Sequence, residues 1–276
     1  MSDKIPVDLH GAAQTMLTTL YLKALDADLD RPVLGDRYAK QAVERIEFDF
    51  AGLKAPVKWA PLVTVRTAQY DIWAGQFLAA NPNAVVIHLG CGLDARVFRL
   101  DPGPDVSWYD VDQPPVIALR EKIFPARPGY RLIATSATDP SWLDDIPTDR
   151  PVLLLAEGIS MYLTEADGVA LLQSIVDRFG SGELQIDFYN WLGIKTQKMQ
   201  RLQRQSGSTL HWAVNGPEDI LSRVTGIRLL AATNLFDAET FARVPAGFAR
   251  TGRLIGALRP VHGLLQYHRY AFGPTG

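Results

Sequence analysis

The sequence predicts an α/β fold, a largely parallel sheet flanked by helices. From about residue 85 onward, short apolar runs alternate with stretches of helical period, the rhythm of repeated strand and helix units. One run, Val152-Leu153-Leu154-Leu155-Ala156, is apolar at consecutive positions, as a strand covered on both faces requires. With 276 residues, 47% hydrophobic and 21% charged, the chain can bury a substantial core as one large domain or a domain with an extension.

Residues 1–80 carry helical patterns over Ala12 to Ala27, Tyr38 to Ile46 and Val63 to Ala80, with no convincing strand. They are expected to form a helical cap ahead of a sheet domain spanning residues 81–276, the two making one structural unit. Val85 to Leu89 is the first strand, a β-branched run ending at Gly90. Val106 to Asp112 follows and is closed by Pro114-Pro115. The third strand runs from Tyr130 to about Thr135, and Val152 to Ala156 is the fourth. Next comes the clearest helix: Thr164 is a candidate N-cap with Asp167 three residues on, and Val169, Leu172, Ile175, Val176 and Phe179 form one apolar stripe. Gly180 stands where a left-handed C-terminal cap is expected. Leu184 to Tyr189 is the fifth strand, and Ile227 to Thr233 and His268 to Phe272 are late strands. Residues 191–225 break this rhythm and read as a helical lid insertion.

Composition excludes several classes of function. Lys and Arg total 28 against 30 Asp and Glu, a formal charge of −2, so no general polycation is available for nucleic acid or an anionic membrane. Cys91 is the only cysteine, which rules out an internal disulfide framework and any cysteine-cluster zinc or iron–sulfur site; no metal is expected. No apolar run approaches the roughly 18 residues of a membrane span. The opening MSDKIPVDLHG places acids and prolines where a secretory signal needs basic and then apolar residues, so the cytoplasm is the expected compartment.

The chemistry concentrates after the first strand, in His88-Leu89-Gly90-Cys91-Gly92-Leu93-Asp94-Ala95-Arg96. Glycines let a backbone turn sharply and approach a ligand where a Cβ would clash. Asp112 ends the next strand about 20 residues later, the position from which an acid binds ribose hydroxyls across the crevice of a parallel sheet. A plain tight turn is the bland alternative, and Asp110 is a rival acid on the same side of the strand but further from the edge. The turn formally satisfies the dinucleotide pattern, so NAD(P) and an oxidoreductase stay open. S-adenosylmethionine needs the same turn and acid but has no pyrophosphate. Asp94, read as lying just inside the following helix, would repel a pyrophosphate and suit the amino group of a methionine moiety, which favours S-adenosylmethionine.

At these residues the sequence resembles the leucine carboxyl methyltransferase family, and within it the bacterial branch of tetracenomycin-type polyketide O-methyltransferases. The likeness lies in TMLTTLYLKALDA from Thr15, LGDRYAKQA from Leu34, RTAQYDIW from Arg66, LGCGLDARVFRL from Leu89, WYDVDQPPVI from Trp108 and EGISMYL from Glu157. The resemblance implies a class I, Rossmann-like methyltransferase core with an N-terminal helical extension. It further implies that Arg66 pairs with the carboxylate of S-adenosylmethionine, a task suited to a permanently charged, bidentate guanidinium. Gly90, Cys91 and Gly92, with Asp94, would lie along the methionine moiety. Asp112, followed by Gln113, would accept the ribose hydroxyls, and Ser136 and Ala137 would take the adenine position. Here the chain departs from the family pattern, in which an acid followed by Leu is common. Glu157 and Gly158 would face the sulfonium and the acceptor pocket, with Tyr162 close by. Outside the resemblance, Arg66 reads first as a helix-surface arginine pairing with Asp71 or solvent, Glu157 equally as a structural acid and Tyr162 equally as a core aromatic.

Two acceptor chemistries are compatible with these residues. A carboxylate is already ionised at neutral pH, whereas a hydroxyl benefits from a general base, for which Glu157 and His211 are candidates. His88 reads as a core histidine, and His10, His262 and His268 stand in no pattern. Lys195, Lys198, Arg201 and Arg204 recur every third residue, either a solvated lid face or a lure for an anionic substrate. Tyr189, Trp191 and Trp212 line a flat apolar pocket or belong to the core. The expected function is methylation of a small polyketide-like or lipid-like acceptor. Methylation of a protein's C-terminal carboxylate and loss of catalysis with retained cofactor binding are the further alternatives.

Overall fold

A computed structural model of the chain describes residues 4–7, 12–196 and 209–274. In chain order the elements are β1 (Ile5–Pro6), α1 (Ala12–Ala27), α2 (Arg37–Arg45), β2 (Ile46–Glu47), α3 (Pro61–Ala80), β3 (Val85–Leu89), α4 (Arg96–Leu100), β4 (Ser107–Asp112), α5 (Pro114–Ile123) and β5 (Tyr130–Ala134). There follow β6 (Val152–Ala156), α6 (Glu165–Arg178), β7 (Gly182–Tyr189), α7 (Trp191–Lys195), α8 (Pro217–Leu221), β8 (Ile227–Asn234), α9 (Ala246–Gly256), α10 (Arg259–His262) and β9 (Leu265–Phe272).

Seven strands form one sheet in the order β5-β4-β3-β6-β7-β9-β8. The five strands from β5 to β7 are parallel, and β9 runs antiparallel between β7 and β8. Alternation along each strand supplies two apolar faces. Val86, Trp108, Leu153 and Leu155 meet Ala74 and Phe77 of α3 on one side. Ile87, Leu154, Leu184 and Ile186 meet Leu172 and Ile175 of α6 on the other. α3 is thus a covering layer of the sheet itself. α1 and α2 pack as a pair on Leu93, Leu119 and Ile123, above the start of α4 and along α5. Asp26 closes their connection by accepting the N–H groups of Val33, Leu34 and Gly35 at 2.9–3.0 Å, and Asp36 caps α2 through Tyr38 and Ala39.

Several local expectations need correction. Ile5–Pro6 pairs in parallel with Ile46–Glu47, a short ribbon that two residues per strand leave without a readable pattern. The Thr164 cap forms, its Oγ1 accepting the Asp167 N–H at 3.2 Å. At the other end Phe179 turns to extended geometry and ends α6, so Gly180 makes no left-handed cap. In the segment expected to be a lid, α7 and α8 are short helices, and Lys195 lies over the Trp191 ring at 5.1 Å. Lys198, Arg201 and Arg204 fall outside the described residues, as does His10. No helix among the described residues is long and apolar enough to cross a membrane.

Candidate active site

Strand order reverses between β3 and β6, and the carboxyl ends of such strands are where α/β sheets hold ligands. A cavity of about 420 Å³ opens there, a volume suited to a small molecule. Its wall comes from the loops after β3, β4, β5 and β6 and from one face of α1 carrying Thr15, Met16, Thr19 and Lys23.

The loop after β3 is built on left-handed glycines, Gly90 at φ +63° and Gly92 at φ +50°. A Cβ on Gly90 would stand 2.7 Å from Cδ1 of Ile159, and one on Gly92 would stand 3.1 Å from the Met16 side chain. Asp112 is tied to this loop: Oδ2 accepts the Gly92 N–H at 2.8 Å and Oδ1 accepts the Gln113 N–H at 2.7 Å. Burial pushes its pKa up, against the pull of those two N–H donors. Asp112 and Gln113 both line the cavity. Asp110, two residues deeper, is fully buried and accepts from Trp108 Nε1 at 2.8 Å, from the Tyr130 hydroxyl at 2.6 Å and from Arg120. His88 Nδ1 lies 3.1 Å from it. Asp110 and His88 therefore belong to an interior network, which leaves Asp112 as the acid presented to the cavity.

Arg66 reaches the cavity from α3, held by two carboxylates. Its Nε donates to Glu157 Oε1 at 3.0 Å and its Nη1 to Asp187 Oδ2 at 2.7 Å. Asp71 instead takes Arg96 and Arg99, so the reading of Arg66 as its surface partner is corrected. Glu157 also accepts from Thr67 Oγ1 at 2.8 Å and from Arg96. Burial opposes its ionisation, yet the guanidiniums of Arg66 and Arg96 bring its pKa down to about 2. A carboxylate so stabilised as an anion is a poor proton acceptor. Glu157 therefore suits an electrostatic anchor, not the general base expected of it.

Asp94 also needs correction. It precedes α4, and its carboxylate meets Arg99 at 2.6 Å, Lys23 at 3.3 Å and Arg96 at 3.4 Å. Burial works against ionisation, but these three cations hold its pKa well below the usual range. Its charge is consumed inside the protein, so the inference that a free Asp94 discriminates between cofactors does not stand.

The other expected residues divide clearly. Cys91 lines the cavity as a buried thiol whose pKa burial raises. Ser136 and Ala137 sit on the cavity rim, with Ser136 Oγ 2.9 Å from Thr138 Oγ1. Gly158, at φ +76°, donates its N–H to Asp187 Oδ1 at 2.7 Å. Tyr162 lines the cavity with its hydroxyl 3.5 Å from Thr15 Oγ1. His211 is exposed and stands outside the cavity wall, its backbone N–H bonded to the Met161 carbonyl, which counts against a catalytic role. Trp212 is core, edge-on to Phe188 at 5.1 Å, and Trp191 is 46% exposed.

Sequence reasoning missed Lys23, Thr67, Arg96 and Asp187. A signal existed for Lys23, between Leu22 and Ala24, and for Asp187, between Ile186 and Phe188, because a buried charge must be paired.

A parallel sheet with this reversal, a left-handed glycine loop and an acid tied to it defines a Rossmann-like nucleoside-binding enzyme. The chain belongs to the leucine carboxyl methyltransferase family, whose model matches residues 16–176. It is 40% identical to the tetracenomycin polyketide synthesis O-methyltransferase TcmP of Streptomyces glaucescens, over 95% of this chain and 98% of the relative. It is also 36% identical to the S-adenosyl-L-methionine-dependent methyltransferase dpfgK of Gibberella zeae, over 88% of each chain. The fold matches a crystal structure of a DUF574 family protein from Streptomyces avermitilis at a TM-score of 0.62 and 13% identity, covering 96% of this chain and 98% of that one. The chain is thus an S-adenosylmethionine-dependent methyltransferase, and the nicotinamide alternative falls away.

The cavity's own chemistry fits that cofactor. The loop at Gly90 and Gly92 admits no Cβ without displacing Ile159 or Met16, Asp112 offers a carboxylate for a diol, and Arg66 offers a cation for a carboxylate.

Proposed function

We propose that this chain is an O-methyltransferase acting on a carboxylate of a small, polyketide-like or lipid-like acid. α1, through Thr15, Met16, Thr19 and Lys23 on the cavity wall, would shape access to the acceptor. In this reading Arg66 binds the cofactor's carboxylate, the backbone at Gly90, Cys91 and Gly92 lies along its methionine part, and Asp112 accepts the ribose hydroxyls. Ser136 and Ala137 border the adenine, and Glu157, Gly158 and Tyr162 border the methyl.

When bound, S-adenosylmethionine supplies an electrophilic methyl carbon on a cationic sulfur, so displacement needs alignment and exclusion of water more than proton transfer. The observation that carries the choice of a carboxylate is that, with Asp112 given to the ribose, neither Glu157 nor the imidazole on the cavity wall is free to act as a base. Glu157 is locked as an anion with a pKa of about 2. His88 is the one imidazole on that wall and is engaged with Asp110 and Arg96. An acceptor already ionised at neutral pH requires neither. Tyr162 can then orient the acceptor by hydrogen bonding without taking its proton.

The test combines calorimetry with S-adenosylmethionine and S-adenosylhomocysteine and transfer of labelled methyl to aromatic polyketide acids, their methyl esters and matching phenols. Label on the free acids alone supports the reading. Label on the phenols moves the reaction to hydroxyl oxygen, and label retained on an added protein's C-terminus moves it to protein carboxyl groups.

A further inference from the structure

Arg66 has a peculiar setting. Its Nε and Nη1 are held by carboxylates from two neighbouring strand ends, Glu157 after β6 and Asp187 in β7. Its Nη2 makes no hydrogen bond among the described residues, although Arg66 lines the cavity. A Cβ on Gly158 would stand 3.3 Å from Nη2, so only a glycine leaves that nitrogen uncrowded.

Asp187 is fully buried and outside the cavity wall, so it touches no ligand there. Both of its oxygens are used: Oδ1 accepts the Gly158 N–H at 2.7 Å and Oδ2 accepts Arg66 Nη1 at 2.7 Å. Around it, the buried hydroxyls of Tyr70 and Tyr267 make no hydrogen bond among the described residues. A lone arginine side chain carries large rotamer freedom, which must be surrendered when it binds a ligand. A guanidinium already pinned at two nitrogens has surrendered it beforehand.

We propose that Asp187 is a positioning residue for the cofactor: by gripping Arg66 and the Gly158 N–H together, it aims Arg66 Nη2 at the cofactor's carboxylate. This rests on the reading of Arg66 given under Proposed function. In an Asp187→Asn variant the amide keeps one acceptor. Whichever way it turns, its NH2 faces either Arg66 Nη1 or the Gly158 N–H, a donor against a donor.

The test compares two ligands by calorimetry, S-adenosylhomocysteine and 5′-methylthioadenosine, which shares the nucleoside and thioether but lacks the amino-acid portion. The wild type is expected to prefer S-adenosylhomocysteine, and Arg66→Ala to abolish that preference. Asp187→Asn should weaken S-adenosylhomocysteine about tenfold or more, the scale of a hydrogen bond to a charged group, while methylthioadenosine stays within about twofold. If Asp187→Asn does not fold, Asp187→Ser shortens the side chain, removes the grip on Arg66 and should show the same selective loss. Equal losses for both ligands would mean a merely structural role, and no change would mean that Arg66 needs no holding; either overturns the proposal. A wild type that binds neither ligand overturns the cofactor reading itself. An Arg66→Ala variant with its preference intact overturns only the assignment of Arg66 and, with it, that of Asp187.

Discussion

Gly90→Ala isolates how the cofactor loop is held. Two independent penalties meet at this residue. The backbone sits at φ +63°, where an L-residue with a Cβ costs about 1–2 kcal/mol. The added Cβ would also lie 2.7 Å from Cδ1, 3.0 Å from Cβ and 3.2 Å from Cγ1 of Ile159, an overlap whose relief costs about 1–3 kcal/mol. The sum is a loss of roughly 2–5 kcal/mol, read as a fall in the urea midpoint at constant slope. Ile159→Ala removes Cδ1 and Cγ1 but keeps Cβ at 3.0 Å, so a double-mutant cycle isolates the part of the overlap that those two atoms cause. The double variant should be more stable than the two single losses predict, by up to about 1–3 kcal/mol, and should keep the backbone penalty and the contact with the remaining Cβ of residue 159. S-adenosylhomocysteine affinity should fall in Gly90→Ala and recover in part in the double variant. The reasoning is refuted if Gly90→Ala unfolds within about 0.5 kcal/mol of the wild type, or if the two substitutions simply add.

Three further outcomes follow from the site. Asp112→Asn should weaken S-adenosylhomocysteine binding about tenfold or more in calorimetry, since an amide presents only one acceptor where the carboxylate presents two. Glu157 has a folded-state pKa of about 2, below its unfolded value, so its contribution is complete above the usual glutamate range and is lost as pH falls from about 4.5 toward 2. Acid unfolding should reveal a loss of stability across that range that is absent in Glu157→Gln. His211→Ala should leave kcat/KM within about twofold, because the ring is exposed and off the cavity wall; a hundredfold fall in a steady-state assay would return His211 to the chemistry.

Much of the scaffold was readable because its signals are local. Val85 to Leu89 is β-branched and the structure buries every residue of it, and Thr164 caps α6 through the residue expected. The site was legible in part for the same reason. A glycine turn and an acid one strand later lie within 22 residues of each other, from Gly90 to Asp112, and parallel pairing of β3 with β4 brings them together. The readings that changed concern charge. Asp94 looked free and is surrounded by Lys23, Arg96 and Arg99. Glu157 looked like a base and is held as an anion by Arg66 and Arg96.

Period, turn and cap are written within a few neighbouring residues, which is why the linear chain sufficed for the parallel sheet, the glycine loop and the choice of Asp112's strand end. The partner of an ionised side chain is chosen by whatever packing brings within hydrogen-bond reach. Arg66 meets Glu157 and Asp187 across 91 and 121 residues of chain. Only the assembled sheet, with α3 laid across it, could decide that Arg66 stands gripped at the cavity with one nitrogen left over, since no periodicity encodes a contact at that separation.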